Sequence, residues 1–395
     1  MTLESTKRHS KKSTGKIFRF SFVHIENWRN FLRAEVQLQK RVFLIGPNAS
    51  GKSNFLDIFR FLHDIVSVGG GFQEATRRRG GVSSLRSLAA RRYPNIVIKV
   101  KIGDLEEKEL WEYEIHFSQD NLSRPIIKKE IVKHRGRLIL SRPDKKDNKD
   151  SERLTQTYLE QVNANGNFRE IADFFHTQKY LHIVPQLIRE PDRSVGRKND
   201  PFGGDFLEQI ALTSERSRNA KLKKIKDALR VAVPQLEEIE LSRDNKGAPH
   251  LRGKYSHWRA RGAWQTEDHF SDGTLRLLGL LWATLDGTGP LLLEEPELSL
   301  HPEVVKLLPQ MLARVQRKSG RQIFISTHSS DLLNDEGIGK DEVLLLLPSI
   351  EGTEIRTANS ITEIDKLLQE GINLSEIVIP NTKPKSLNQL LLFGD

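Results

Sequence analysis

One stretch of the chain has the residue types and the spacing of a phosphate-binding loop. It fits the pattern G-x-x-x-x-G-K-[ST] and consists of Gly46, Pro47, Asn48, Ala49, Ser50, Gly51, Lys52 and Ser53. The glycines allow a left-handed backbone and a close approach to phosphate oxygens, which backbone N–H groups then face. We expect Lys52 to reach the β- and γ-phosphates of a nucleotide and the Ser53 hydroxyl to ligate Mg²⁺.

The elements around this stretch are those that such a loop needs. Residues 41–45 predict a short buried strand, and residues 54–62 have the apolar spacing of an amphipathic helix. A strand that enters the loop and a helix that leaves it distinguish a phosphate-binding loop from a chance match. The alternative is a glycine-rich turn that carries a lysine by accident.

A second apolar strand ends in two acids. Residues 291–293 are three leucines, and Glu294 and Glu295 follow them directly. In a phosphate-loop sheet such a strand places its terminal carboxylate near the Mg²⁺, so we expect Glu294 to assist the metal through water. We expect Glu295 to orient and deprotonate the water that attacks the γ-phosphate. The alternative is an acidic junction between a strand and a turn.

Two further stretches place polar residues at the ends of predicted elements. His328 follows a strand predicted at 322–326, where it could reach the γ-phosphate or the attacking water, the alternative being a structural hydrogen bond. Ser271 and Gly273 form a turn before a helix predicted at 275–285, and the N-terminus of such a helix favours an anion. An ordinary helix cap is the alternative there.

Taken in their order along the chain, the four stretches resemble the ATP-binding-cassette ATPases, and within them the SMC/RecF-like branch. Residues 46–53 are similar to the first nucleotide motif, including the Gly-Pro-Asn opening of that branch, and residues 270–274 resemble the signature motif. Residues 291–295 resemble the second nucleotide motif, and residues 327–329 the switch-histidine loop. The Glu-Glu-Pro-Glu and Leu-His-Pro sequences within 294–302 resemble the subgroup of OLD-type ATPases and ATPase subunits of bacterial anti-phage systems.

The resemblance covers about residues 17–66 and 268–350. It implies an α/β fold, namely an ABC-ATPase head with a mixed or parallel sheet and flanking helices. An α+β insertion then lies between the first nucleotide motif and the signature motif. We divide the chain into a basic flexible tail at 1–16, an ATPase core at 17–94 and 265–395, and a basic insertion at 95–264.

The chain departs from the family pattern at several positions. Glu294 stands where the family has an aspartate, which lengthens the arm to the metal. In the signature turn, Asp272 and Thr274 replace a glycine and a glutamine, and an acid that faces a triphosphate is unfavourable unless it points away. As the lid-loop glutamine, which the resemblance implies as a further metal ligand, we take Gln73 between two glycine clusters.

The resemblance implies an Mg²⁺-dependent ATPase that binds and hydrolyses ATP. Ser271 and Gly273 of one subunit would touch the ATP held by Lys52 and Ser53 of another, in a head-to-tail homodimer or a higher oligomer. Hydrolysis would weaken that bridge. Nucleotide state would thereby be coupled to nucleic-acid sensing, or to control of a separate effector protein such as a nuclease or toxin, in anti-phage defence or DNA repair.

The composition sets the broad class. At 395 residues the chain is long enough for one large α/β domain with a sizeable insertion, or for two domains. It has no cysteine, which excludes disulfides and thiolate metal sites, and no stretch approaches the ~20 apolar residues of a membrane span. No secretory signal opens the chain, so we expect a soluble cytoplasmic protein with no membrane partner.

The charge is uneven along the chain. The formal net charge is +10, and the excess lies in residues 1–270, because residues 271–395 are net acidic. A basic front and middle favours a local face that binds a polyanion, either DNA or another nucleic acid. The alternative is ordinary solvated surface, since lysine and arginine are mostly exposed in any protein.

Three classes of function compete. The first is an ATPase that senses or moves on nucleic acid. The second is an ATP-gated scaffold that holds and inhibits a toxin or nuclease with little turnover, which the incomplete signature motif favours. The third is the nucleotide-binding subunit of a transporter, and the large basic insertion and the lack of a membrane segment argue against it.

Outside the motifs, the patterns predict the remaining elements. Strands are predicted at 18–25, 34–38, 95–102, 111–117, 126–133, 137–140 and 343–347, helical character at 155–176, and helices within 205–233 and at 304–317. The strand–helix alternation after residue 270 indicates a parallel sheet. The glycine-bounded stretch around Arg77, Arg78 and Arg79 is predicted to be a mobile loop that presents charge. Trp28 is expected in the core, with base stacking as the alternative.

Overall fold

The chain contains both strands and helices, and several strands follow one another directly. In the computed structural model, which describes residues 16–90, 94–190, 200–256, 263–370 and 372–381, the strands are β1 (Arg19–Trp28), β2 (Phe31–Gln37), β3 (Arg41–Ile45), β4 (Ile96–Gly103), β5 (Trp111–Gln119), β6 (Pro125–His134), β7 (Arg137–Arg142), β8 (Lys179–Leu181), β9 (Leu236–Arg243), β10 (Pro249–Tyr255), β11 (Ala263–Thr266), β12 (Leu291–Glu294), β13 (Ile323–Thr327), β14 (Val343–Ser349) and β15 (Gly352–Thr357). The α-helices are α1 (Lys52–Val66), α2 (Phe72–Arg77), α3 (Val82–Leu85), α4 (Arg169–His176), α5 (Pro185–Arg189), α6 (Phe206–Leu212), α7 (Glu215–Leu229), α8 (Asp272–Leu285), α9 (Pro302–Ser319), α10 (Ser330–Leu333), α11 (Thr362–Gln369) and α12 (Leu374–Asn381).

A six-stranded sheet carries the phosphate-binding loop. Its order is β15-β14-β3-β13-β12-β8, and all neighbouring pairs are parallel except β14 with β15. Every residue of β3 and β13 is buried, as expected where helices cover both faces of a parallel sheet. The predicted α/β fold with a mixed or parallel sheet is therefore confirmed. Because parallel strands end at one edge, the segments after β3, β12, β13 and β8 meet there.

A second, antiparallel sheet packs on the other side of α1. Its order is β2-β1-β4-β5-β6-β7. The ring of Phe59 in α1 lies 4.7 Å from that of Phe20 in β1 and 4.8 Å from that of Phe324 in β13. Helix α1 thus lies between the two sheets, and its apolar side is buried against both. This packing fixes the start of the helix, where the phosphate-binding loop ends.

The segment assigned to the insertion is interleaved with the rest of the fold. Strands β4–β7 extend the sheet that β1 and β2 begin, and β8 pairs with β12 in the parallel sheet. Later in the segment, β9, β10 and β11 form a separate three-stranded sheet, and α7 packs on both β9 and α8. The division at 95–264 therefore follows sequence order, while the strands themselves are shared between sheets.

Some local predictions are wrong for identifiable reasons. Helical character was expected across 155–176, but only α4 is helical there and the preceding residues form turns. The stretch expected to be a mobile loop forms α2 and α3, because Gly71 and Gly81, both with positive φ, serve as their N-caps. The side chain of Arg79 is buried against Asp57 and Asp64 of α1, whereas Arg77 and Arg78 do present their charge to solvent.

Two other predictions concern the amino-terminal part. Trp28 is fully buried in the core, next to Phe61, so the core interpretation is confirmed. The basic tail predicted at 1–16 lies outside the described residues except for Lys16.

Candidate functional site

Backbone conformation and close packing require glycine at two positions of the phosphate-binding loop. Gly51 has φ +98°, and a Cβ there would lie 2.1 Å from Nδ2 of Asn30. A Cβ at Gly46 would lie 2.5 Å from Oγ of Ser50. A side chain at either position would push the loop open. Helix α1 begins at Lys52, the seventh residue of the loop, so the free N–H groups of its first turn lie at the phosphate-binding loop.

Asn30, in the turn between β1 and β2, stabilises this loop through side-chain hydrogen bonds. Its Nδ2 donates to the carbonyl oxygen of Ser50 at 2.9 Å and to Oγ1 of Thr353 at 2.7 Å. Its Oδ1 accepts from Nδ2 of Asn54 at 2.7 Å, and Thr353 Oγ1 also donates to Ser50 at 2.9 Å. Sequence reasoning missed Asn30 and Thr353 as site residues, since an asparagine in a turn and a threonine in an edge strand have no distinctive pattern.

Lys52 is folded back over the loop. Its Nζ donates to the carbonyl oxygens of Gly46 at 3.0 Å and Pro47 at 3.1 Å, and the residue is 6% exposed. Burial lowers the pKa of the Lys52 amine, and the charges of Glu295 and Glu294 oppose that shift. The cation thus stands at the centre of an acidic site, where it can turn from loop carbonyls to phosphate oxygens.

Ser53 and Glu294, the predicted metal ligands, are brought together. The Ser53 hydroxyl donates to one carboxylate oxygen of Glu294, and the phenol of Tyr180 donates to the other. Burial raises the pKa of the Glu294 carboxyl. The hydroxyl and carboxylate oxygens are the ligands that Mg²⁺ prefers, and the free N–H groups at the start of α1 favour an anion, so the donor set fits Mg²⁺ and a triphosphate.

Tyr180 itself is held by Arg60 of α1, whose guanidinium carbon lies 4.7 Å from the centre of the tyrosine ring. Sequence reasoning missed both residues. Tyr180 belongs to β8, which has only three residues, and its place beside Glu294 follows from the parallel pairing of β8 with β12. A segment of three residues is too short to show the alternation that predicts a strand.

Glu295 and His328, the predicted catalytic pair, also meet. Nε2 of His328 lies 3.3 Å from Oε1 of Glu295. Glu295 has φ +45°, a left-handed conformation unusual for a side chain of this kind, and its N–H donates to the carbonyl oxygen of Ser326 at 3.0 Å. The hydrogen bond with His328 is the main reason that the pKa of the Glu295 carboxyl is lowered. Glu295 is therefore held as the ionised base that its predicted role needs.

A third acid, Glu297, connects the two strand ends. Its Oε1 accepts from Oγ1 of Thr327 at 2.5 Å and from the N–H of His328 at 3.3 Å. Its Oε2 is buried and has no hydrogen-bond partner among the described residues. Burial is the main reason that the pKa of the Glu297 carboxyl is raised. Sequence reasoning noted this residue in a motif and gave it no role, yet it fixes the loop that carries His328.

The signature turn lies at the start of α8. Ser271 is exposed and caps the helix, because its Oγ accepts from the N–H of Thr274 at 3.2 Å. Asp272 forms an ion pair with Arg189 of α5 at 2.7 Å. A Cβ on Gly273 would lie 2.5 Å from the carbonyl oxygen of Ser299, so the turn is packed against the segment after β12. Neither Ser271 nor Gly273 makes a hydrogen bond to the loop of the same chain within the described residues.

The structure does not bring Gln73 to this site. Its amide donates to the carbonyl oxygens of Pro125 at 2.8 Å and Thr155 at 2.7 Å, in the region of β6. The polar residue that does follow an edge strand into the site is His182, whose Nδ1 lies 3.3 Å from the carbonyl oxygen of Glu294. The glycines before Gln73, which in the sequence indicate a lid loop, precede helix α2, and this helix directs the glutamine towards β6.

The sequence of residues 41–334 matches the AAA_21 family, described as "AAA domain, putative AbiEii toxin, Type IV TA system". The chain belongs to the AAA_21 family. The matched range of this AAA_21 protein begins with β3 and ends after α10, so it contains the loop, both acids of the second motif and His328. Among curated proteins, no sequence matches the chain.

The AAA_21 chain is also similar in fold to SMC head domains. An Smc head bound to the C-terminal winged-helix domain of ScpA aligns with a TM-score of 0.51 and 12% identity, over 85% of this chain and 96% of that one. The Smc head of Pyrococcus furiosus, with an extended coiled coil and the C-terminal domain of ScpA, gives 0.50 and 11% over 89% and 100%. That of Pyrococcus yayanosii gives 0.50 and 11% over 90% and 99%. The predicted SMC-like head fold is confirmed.

No helix in the described part of this AAA_21 protein has both the length and the apolar character to cross a membrane.

Proposed function

We propose that this AAA_21 protein hydrolyses ATP with Mg²⁺, and that two copies close around shared ATP. Nucleotide state then controls nucleic-acid sensing or a separate effector protein, a nuclease or toxin, in anti-phage defence or DNA repair. The observation that carries the proposal is the meeting of Lys52, Ser53, Glu294, Glu295 and His328 at one edge of the parallel sheet.

Each of these side chains has a task that its surroundings support. Lys52 and the N–H groups at the start of α1 bind the phosphates. Ser53 and Glu294 would hold Mg²⁺, which would neutralise charge on the phosphates. Glu295 takes a proton from the attacking water while the water oxygen bonds to the γ-phosphorus. The bond between the γ-phosphorus and the bridging oxygen breaks, and ADP leaves. His328 holds Glu295 in its ionised form and in place.

The proposed dimer depends on the signature turn. Ser271 is exposed, and the acid beside it, Asp272, is neutralised by its ion pair with Arg189. The incomplete signature motif, in which Asp272 and Thr274 replace a glycine and a glutamine, favours an ATP-gated scaffold with little turnover. With the acid paired, the turn can approach a triphosphate of a second subunit without a bare negative charge, so hydrolysis in a closed dimer is the better proposal.

The proposed partners rest on two lines of support. One solved relative in fold is an Smc head bound to a winged-helix domain of ScpA, and the AAA_21 description mentions a putative toxin and a toxin–antitoxin system. The net charge of +10 supports a nucleic-acid partner. These favour a protein partner and a nucleic acid as the two inputs to the nucleotide cycle.

The test is phosphate release by the purified full-length chain with Mg²⁺ or EDTA, with and without duplex DNA. We expect release that requires Mg²⁺ and rises with DNA. No release under any condition would refute the ATPase proposal. Slow release that DNA does not change, with a protein that co-purifies in fixed ratio, would support the scaffold instead.

Glu297 is predicted to affect the rate through the His328 loop. Glu297→Ala removes the acceptor for Thr327 and for the His328 N–H, and we expect the kcat for hydrolysis to fall by about tenfold, since a lost buried hydrogen bond costs about 1–3 kcal/mol. Glu297→Gln keeps an acceptor oxygen and should restore most of the rate. The KM for ATP should not change in either variant. Equal rates for the two variants, or a raised KM with an unchanged kcat, would contradict this role.

His328 is predicted to set the acidic limb of the pH–rate profile. The histidine lowers the pKa of Glu295, so the carboxylate stays ionised further into acid while His328 is present. In His328→Ala the pKa of Glu295 should rise, and the rate should begin to fall at a higher pH than in the wild type. Hydrolysis measured across the acidic range checks this, and an unmoved acidic limb would exclude the coupling.

A further inference from the structure

Helix α7 has one apolar side and one strongly basic side. Leu222, Ile225 and Leu229 are buried beneath it. The opposite side carries four exposed cations, which are Arg216, Lys223, Lys224 and Arg230, the last at the C-cap. One exposed acid lies among them, Asp227, and it is paired with Lys226 at 3.4 Å. None of the four forms an ion pair within the described residues, whereas Lys221 on the flank of the helix is paired with Asp286 at 2.7 Å.

Basic residues on the sheets are arranged differently. On the outer face of the antiparallel sheet, Lys129 pairs with Glu114 and Lys133 with Glu112, both at 2.8 Å. The three-stranded sheet next to α7 repeats the pattern, with cross-strand pairs that join Arg252 to Glu240 at 2.9 Å and Lys254 to Glu238 at 3.3 Å. These lysines and arginines are paired with glutamates across the strands, whereas the four cations of α7 have no such partner among the described residues.

The spacing of the free cations suits a regular row of negative charges. Arg216, Lys223 and Arg230 recur every seven residues, and residues seven apart lie on one stripe of a helix about 10 Å from each other. Lys224 lies beside Lys223 and widens the stripe. We propose that the exposed face of α7, made of Arg216, Lys223, Lys224 and Arg230, binds the phosphodiester backbone of a nucleic acid without reading its sequence.

The position of α7 gives this contact a route to the proposed nucleotide cycle. Helix α7 packs on α8, the helix that begins at the signature turn. Lys221 of α7 lies 4.8 Å from the ring centre of Trp282 in α8 and is paired with Asp286 just beyond that helix. Backbone phosphates bound to α7 would therefore hold the helix that presents Ser271. This consequence rests on the proposed function, whereas the contact itself does not.

The test is a triple variant, Arg216→Gln, Lys223→Gln and Lys224→Gln, in the full-length chain. Its matched control is Lys145→Gln, Lys146→Gln and Lys149→Gln, which removes the same charge from three exposed, unpaired lysines in the turns after β7. The probe is a fluorescent duplex DNA of 20 random base pairs, with an RNA duplex of the same sequence and poly-glutamate as further arms. Anisotropy is followed across a series of salt concentrations.

We expect the α7 variant to bind the DNA duplex on the order of 10- to 100-fold more weakly near 0.15 M salt, with a salt slope smaller by about 3. The control should keep both values. Lys223→Arg with Lys224→Arg should bind like the wild type, which shows that the charge is what matters. Similar losses for the RNA and DNA duplexes would identify the shared phosphodiester backbone, and a loss for DNA alone would restrict the α7 contact to DNA.

Three outcomes would overturn the proposal. They are equal losses in the α7 variant and in the control, an α7 variant that binds as tightly as the wild type, and poly-glutamate bound as tightly as DNA, which would indicate an acidic protein partner. Basal phosphate release is measured on the same samples without DNA. If the wild type releases none, the proposed ATPase fails while the binding result still decides the role of α7.

Discussion

Replacing Glu295 with glutamine is expected to slow ATP hydrolysis by about 10²- to 10⁴-fold while nucleotide binding is retained. Glutamine has nearly the same size and can still accept a hydrogen bond from Nε2 of His328, 3.3 Å away in the wild type. It cannot take the proton of the attacking water. The positive φ of residue 295 is a property of the backbone turn, so the substitution leaves the turn as it is.

The same variant should accumulate the closed dimer. If ATP bridges two copies and is not cleaved, the molar mass from light scattering should rise with Mg²⁺ and ATP from that of the 45.2 kDa chain towards twice that value. Glu336→Gln makes the same chemical change at an exposed acid outside the site and should behave as the wild type. A variant that binds ATP and stays monomeric would refute the sandwich.

The parts of the site that could be predicted from the sequence are those written in consecutive residues. The motif at 46–53 is contiguous in the sequence. The strands before it and before Glu294 are apolar runs, which are stable only when buried in a sheet. Because parallel strands end at one edge, the approach of Glu294 to Ser53 and of His328 to Glu295 follows from the order of the strands. The structure has both contacts.

The residues that could not be predicted act across long separations. Tyr180 meets Glu294, and Arg189 meets Asp272, only because β8 joins the sheet edge and α5 follows it. A strand of three residues has no periodicity to read. Asp272 is an example. The sequence shows an acid in a turn that should face phosphate, but its neutralising partner, Arg189, lies 83 positions earlier and cannot be recognised from the turn itself. Gln73 shows the converse, a glycine neighbourhood that indicated a loop where tertiary packing forms a helix.

Replacing Lys52 with alanine is expected to lower the affinity for ATP by about 10²-fold or more, which abolishes binding at the ATP concentrations assayed. A lysine that donates two charge-assisted hydrogen bonds to phosphate oxygens contributes about 1.5–3 kcal/mol through each of them. The loss of ATP affinity should exceed the loss on removal of a neutral hydrogen-bond donor, because the charge of Lys52 also balances the charges of Glu294 and Glu295. Without the cation, these carboxylates would repel the triphosphate that the loop must hold.

Thermal unfolding separates this loss from a loss of fold. A ligand that binds only the folded state stabilises it by RT ln(1 + [L]/Kd), about 2.7 kcal/mol at a hundredfold excess over Kd. The wild type should therefore gain in Tm with Mg²⁺ and ATP, and Lys52→Ala should not, although its Tm without nucleotide stays close to that of the wild type. Lys40→Ala, at an exposed lysine just before β3, should keep the gain. An equal rise in Tm in Lys52→Ala would show that the loop binds phosphate without its lysine. A dimer formed by that variant on addition of ATP would show that dimerisation does not need the nucleotide in this pocket.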